Sequence, residues 1–247
     1  MKTAIVLALL AATAAASPGK PLKNNQGSTN DSLRRRPVPN RWVQDRYSTN
    51  WAGAVQSGRN FTHVEGIITV PDLSGASGNA VSMWVGIDGD ACQRALLQTG
   101  LSFQTDGSFD AWYEWIPDYS TDYDGFQMRV GDQVKMIINA TGDSTGVAAL
   151  ENLATGQMVT HHYDSSPSTL CQDSAEWIVE AYMDDGSEVV LADFGEVTIT
   201  GVSATESAGT VNARGATIID MINGRDQIIA SCSAGDSYVQ CKYTGSQ

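Results

Sequence analysis

The 247-residue sequence predicts an all-β fold, a sandwich or a barrel, and three observations carry that prediction. Nothing from Ser48 onward has the 3.6-residue apolar spacing of a long amphipathic helix. Short runs rich in β-branched and aromatic residues recur instead, at 64–70, 80–87, 111–115, 134–139, 147–151, 176–181, 189–194, 196–200, 216–222, 227–231 and 238–243. Turn signals stand between them at hairpin spacing: Asn152-Leu-Ala-Thr-Gly156, Met183-Asp-Asp-Gly186 and Ile222-Asn-Gly-Arg225. Many short strands joined by tight turns close into a sandwich or barrel. With no internal repeat and no interdomain linker, residues 47–247 read as one domain.

Two segments precede that domain. Met1-Lys2 is a short basic start, 4–15 is an apolar run, and Ala14-Ala15-Ala16 offers the small residues of a cleavage site. Residues 1–16 therefore read as a secretory signal peptide, too short to span a bilayer, and the product is expected outside the cell. Residues 17–46 carry Lys20, Lys23, Arg34, Arg35, Arg36, Arg41 and Arg46 with four prolines and almost no apolar periodicity. Such a stretch reads as a basic pro-segment, with Arg34-Arg35-Arg36 as a processing signal.

Charge divides at the same boundary. Residues 47–247 hold 7 basic and 26 acidic side chains, a net charge of −19, whereas the first 46 residues hold 8 basic and 2 acidic ones. A surface that negative excludes nucleic acid and anionic membrane as partners. It suits a working pH near carboxylate pKa values of about 4, where much of the charge is neutralised. The basic pro-segment has an electrostatic partner in the acidic body and is expected to act as its own cover and inhibitor.

The four cysteines, Cys92, Cys171, Cys232 and Cys241, allow three pairings. An even count in an exported chain favours disulfides over thiols or metal. Cys232 and Cys241 flank a turn cluster, so a hairpin would join them and leave Cys92 with Cys171. Asn60-Phe-Thr62 and Asn139-Ala-Thr141 are glycosylation acceptor patterns.

Elimination narrows the chemistry. There is no H-E-x-x-H, no Asp-Thr-Gly or Asp-Ser-Gly pair and no phosphate-cradling glycine loop, and only three histidines occur. No metal and no cofactor are expected, and acid-base work falls to carboxylates. Two segments place carboxyl or amide groups among aromatics: the stretch from Trp84 through Asp88 and Cys92 to Gln98, and Ala175-Glu-Trp-Ile-Val-Glu180. On a strand, Glu176, Ile178 and Glu180 share one face, which reads as a polar groove floor or as a solvent-facing edge.

An ordered set of motifs resembles the glutamic peptidases, or eqolisins, of filamentous fungi and some bacteria. It runs from Asn50-Trp-Ala-Gly-Ala-Val55 through Trp84-Val-Gly-Ile-Asp-Gly89, Leu96-Leu-Gln-Thr-Gly100, Asp110-Ala-Trp-Tyr-Glu-Trp-Ile-Pro-Asp118, Glu151-Asn-Leu-Ala-Thr-Gly-Gln157 and Ala175–Glu180 to Ala192-Asp-Phe-Gly195. Each word alone is weak, but the order is specific and spans nearly all of the body. The resemblance implies a sandwich of two large antiparallel sheets, of concanavalin-like or jelly-roll type, with a cleft across one face. It implies a catalytic Gln–Glu pair, Gln98 and Glu180, with Glu176 as the second-ranked Glu. It implies a cleft lined by Trp51, Trp84, Asp88 and Glu114, and a Cys92–Cys171 bridge. Cys232 and Cys241 depart from the family pattern.

The chemistry is coherent with the residue types: Glu180 takes a proton from an attacking water and returns it to the leaving nitrogen, and the uncharged Gln98 donates to the oxyanion. The expected activity is a secreted, monomeric acid endopeptidase acting on proteins and peptides. The alternative is a carbohydrate-active sandwich hydrolase or lectin, with Glu114 and Glu180 as the carboxyl pair and Trp112, Tyr113 and Trp115 stacking sugar rings.

Overall fold

Apolar alternation and turn residues translate directly into strands. The computed structural model describes residues 34–35, 46–73, 75–184 and 187–245, and among them it contains no helix. The first half of the chain forms β1 (Arg34–Arg35), β2 (Arg46–Ser48), β3 (Trp51–Ser57), β4 (His63–Thr69), β5 (Ala80–Ile87), β6 (Leu96–Gln104), β7 (Phe109–Ile116), β8 (Thr121–Asp122) and β9 (Gln133–Ala140). The second half forms β10 (Gly146–Asn152), β11 (Gln157–Tyr163), β12 (Ser174–Glu180), β13 (Met183–Asp184), β14 (Ser187–Glu188), β15 (Glu196–Glu206), β16 (Gly209–Val211), β17 (Thr217–Ile222), β18 (Ile228–Ala234) and β19 (Tyr238–Tyr243).

Two antiparallel layers result. One runs β8–β7–β6–β5–β12–β3–β17–β18, the other β11–β10–β9–β4–β15–β19, and the β18–β19 hairpin joins them into one hydrogen-bonded network. The expected sandwich of two large sheets is what forms. Between the layers lies the main core, with Met83, Val85, Leu97, Leu101, Trp115, Met136, Ile138, Leu150 and Trp177 fully buried or nearly so. The first layer buries its outer face too: every residue of β5 and of β12 is buried. Its outward-turned apolar side chains, among them Trp51, Trp84, Trp112 and Ile178, form a second, separate cluster.

Both proposed disulfides are present. Cys92–Cys171 ties the loop after β5 to the segment before β12, and Cys232–Cys241 links directly opposed residues of β18 and β19.

Two expectations about elements need correction. Residues 189–194 form no regular strand, because this stretch crosses between layers and meets β5 only through a single bridge, Ala80–Leu191. β3, β6 and β11 were not among the strands expected from composition. The boundary placed between Arg46 and Tyr47 falls inside β2, which pairs with β17, and Arg46 forms an ion pair with the buried Asp90 at 2.8 Å. The signal-peptide segment 1–16 lies outside the described residues, as does most of 17–46.

Candidate active site

The outer face of the first layer is built by strand register. Side chains alternate, so every second residue of β3, β12, β5, β6 and β7 points to it. Directly opposed residues then form three cross-strand rows. The first is Val55, Glu176, Gly86, Gln98 and Glu114; the second is Gly53, Ile178, Trp84, Gly100 and Trp112; the third is Trp51, Glu180, Ser82, Ser102 and Asp110. One register slip on any strand would move its members to the core face. Gly86 is required by close approach, since a Cβ there would stand 3.0 Å from the Trp84 ring and 3.3 Å from Cβ of Gln98.

Five of the six residues expected at the site, Trp51, Trp84, Gln98, Glu114 and Glu180, share this face, and all are buried. The Trp84 indole Nε1 donates to Glu180 Oε2 at 2.7 Å, and the Asn50 amide Nδ2 donates to Oε1 at 3.4 Å. Trp51 meets Trp84 edge to face, with ring centroids 4.9 Å apart. The Gln98 amide Nε2 donates to Glu114 Oε2. Burial first, and the Glu180 charge second, hold the Glu114 carboxyl well above the usual carboxylate range, against the pull of the Gln98 amide and the Ser120 backbone.

Asp88 follows the end of β5 with a φ of 71°, and its carboxylate meets the chain before β12. There Oδ2 accepts the backbone N–H groups of Cys171 and Gln172 at 2.7 and 2.9 Å, and Oδ1 that of Asp173 at 2.9 Å. Burial pushes Asp88 up to about 6, opposed by the Gln172 and Asp173 N–H groups. Its carboxylate holds that loop in place.

Glu176 differs sharply from Glu180. It is fully buried, and no N–H group donates to either carboxyl oxygen. Its surroundings are the carboxyls of Asp88, Asp90 and Asp173. Burial above all, with those charges in addition, holds it well above the usual range, only partly offset by the Ser174 hydroxyl. Gln98 shares a row with Glu176, across Gly86, and not with Glu180. The carboxylate felt by Glu114 is nevertheless that of Glu180.

Composition missed several members of the face. Asn50 was quoted only as the start of a motif, yet its amide reaches Glu180. Asp110, at the end of the third row, is pushed up to about 6 by burial, against a Gln104 hydrogen bond and with Asp122, Asp184 and Asp106 adding to the rise. Strand alternation was the available signal. It also splits the aromatics proposed to stack sugar: Trp112 faces the cleft with Glu114, whereas Trp115 is buried in the main core and Tyr113 packs against it.

Comparison with known proteins agrees with this geometry. The Peptidase A4 family pattern matches residues 49–243. The chain is 42% identical over 219 residues to aspergillopepsin-2 of Aspergillus niger, covering 79% of this chain and 78% of that protein. It is 39% identical over 204 residues to scytalidopepsin B of Scytalidium lignicola, with the same coverage of each. The crystal structure of scytalido-glutamic peptidase with a transition state analog inhibitor superposes with a TM-score of 0.75 at 39% identity, over 79% of this chain and 98% of that one. These matches displace the carbohydrate alternative: the chain belongs to the Peptidase A4 family, the eqolisins, and is a glutamic peptidase that hydrolyses peptide bonds.

Proposed function

We propose that this peptidase is a secreted acid endopeptidase in which Glu180 is the general base and then the general acid, and Gln98 is the oxyanion donor. The observation that best supports the choice of Glu180 is its pair of N–H donors, from Trp84 and Asn50, which hold its carboxyl on the cleft face. Glu176 has no such partner. In this reading Glu180 removes a proton from water as the water attacks the scissile carbonyl. The oxygen of that carbonyl gains negative charge and receives an N–H of Gln98, a donor that keeps its proton at any working pH. Glu180 then delivers the proton to the departing nitrogen, so the catalytic groups end as they began.

The enzyme is made as a zymogen, in which access to the face opens after processing. The basic 17–46 segment is the proposed cover, held by the acidic body. The active form works as a monomer on protein and peptide substrates, without a cofactor. Asn60 is exposed, which suits a glycan, whereas the Asn139 side chain is engaged by His63 at 2.8 Å.

Substitution separates the two glutamates. Gln98→Ala and Glu180→Ala should abolish casein hydrolysis at acid pH while circular dichroism shows an intact fold, and Glu176→Ala should keep part of the activity. Full activity in folded Glu180→Gln would overturn the assignment and promote Glu176.

A further inference from the structure

Glu114 takes no part in the steps above, yet it is the group in contact with the oxyanion donor. It stands directly opposite Gln98 across β6 and β7, and both side chains are buried, at 2% and 1% exposure. One N–H of Gln98 already goes to Glu114 Oε2. Of the remaining oxygens, Gln98 Oε1 is buried without a hydrogen-bond partner, and beyond Gln98 the Glu114 carboxyl is met only by the Ser120 backbone. Both side-chain oxygens are acceptors when Glu114 is ionised, and buried acceptors so poorly supplied with donors are costly. A proton on Glu114 turns one of them into a donor, which leaves no buried charge and gives the amide oxygen a group to accept from.

We propose that Glu114 is a positioning residue, which holds one N–H of the Gln98 amide so that the second N–H points at the developing oxyanion. The inference rests on the Gln98 and Glu180 reading. A glutamine amide turns in a broad, roughly two-fold well about its last torsion. The flipped state would aim its carbonyl oxygen at the negative charge and oppose the reaction. A carboxylic acid beside it selects one state, since its C=O takes an N–H while its O–H can be offered only to an oxygen. The charged group that acts on Glu114 is Glu180 from β12, which brings no positive charge, so a protonated Glu114 is the form this pocket favours in acid. Its ionisation at higher pH would remove the O–H and add a charge beside Glu180.

The test compares Glu114→Ala, Glu114→Gln and Gln98→Ala in the activated enzyme, with a fluorogenic peptide and urea unfolding at each assay pH. Losing a positioning contact costs on the order of 100-fold. Glu114→Ala should therefore lower kcat about 100-fold with KM changed little. Glu114→Gln, which presents the same acceptor and an N–H for the O–H, should recover most of that loss and carry activity to higher pH than the wild type. Wild-type kcat in folded Glu114→Ala would overturn the proposal, and so would a Glu114→Gln as impaired as Glu114→Ala. An active Gln98→Ala would instead overturn the catalytic reading beneath it.

Discussion

Replacing Glu176 by Gln should flatten the pH dependence of stability. The side chain is fully buried, no N–H group donates to its oxygens, and Asp88, Asp90 and Asp173 surround it, so the folded state keeps it protonated well above the ordinary range despite the Ser174 hydroxyl. The unfolded chain releases that proton at about pH 4.3. Above that value the folded state holds one proton more than the unfolded state, and stability falls with rising pH by about 1.4 kcal/mol per pH unit for this group. The fall continues until the folded carboxyl itself ionises. Below about pH 4.3 both states are protonated and the contribution vanishes. Gln keeps the size and the neutrality but cannot titrate. Urea unfolding of the activated enzyme from pH 4 to 6.5 should therefore show Glu176→Gln within about 1 kcal/mol of wild type at pH 4. By pH 6 the variant should be less sensitive by about 2 kcal/mol, from the same slope. Asp88, pushed up to about 6, imposes a slope of the same sign in the variant as well, so a residual decline is expected. Parallel curves for the two proteins would refute the assignment of a retained proton to Glu176.

Two further outcomes follow from the geometry. Asp88→Asn would aim an NH2 group at the N–H groups of the 171–173 chain, so urea unfolding should show a loss of about 2–3 kcal/mol. An unchanged stability with a raised KM would return Asp88 to substrate binding. Removing Cys232–Cys241, whose residues are 9 apart, should cost about 3 kcal/mol in the same assay by loop entropy, against about 4–5 kcal/mol for Cys92–Cys171, whose residues are 79 apart. Equal losses for the two would show that loop entropy is not what separates them.

What sequence could reveal of the fold depended on how each strand is buried. β9 alternates strictly between buried and less buried residues, and the 134–139 run was read as a strand. β11 alternates too, but between half-buried and exposed, so Gln157-Met-Val-Thr-His-His-Tyr163 carries no apolar signature. β3 is Trp-Ala-Gly-Ala-Val in its buried part, with small residues of low strand preference, Ala-Gly-Ala, at its centre. Its reason lies in the neighbour: a Cβ on Gly53 would stand 2.1 Å from the Trp177 carbonyl oxygen, so β12 fixes what β3 must be. Such a requirement comes from a residue 124 positions away and cannot be seen locally.

The site was legible in kind and not in assembly. Residue types and ordered motifs pointed to Gln98, Glu180, Glu114 and the two Trp, and alternation put Glu176 and Glu180 on one face. Choosing between those two Glu depends on what stands across the strands. Register opposes Glu176 to Gly86 and then Gln98, which by itself would pair Glu176, and not Glu180, with the amide. Side-chain reach reverses the order: the indole of Trp84, one row along, bonds to Glu180, and the Glu180 charge is the one that acts on Glu114. Glu176 meanwhile lies under the Asp88–Asp90 loop that the Cys92–Cys171 bridge secures. The strand thus carries two carboxyls of identical chemistry four residues apart, one dressed by N–H donors and one sealed among acids. That difference of surroundings gives the first its proposed proton-transfer role and makes the second a source of acid-dependent stability.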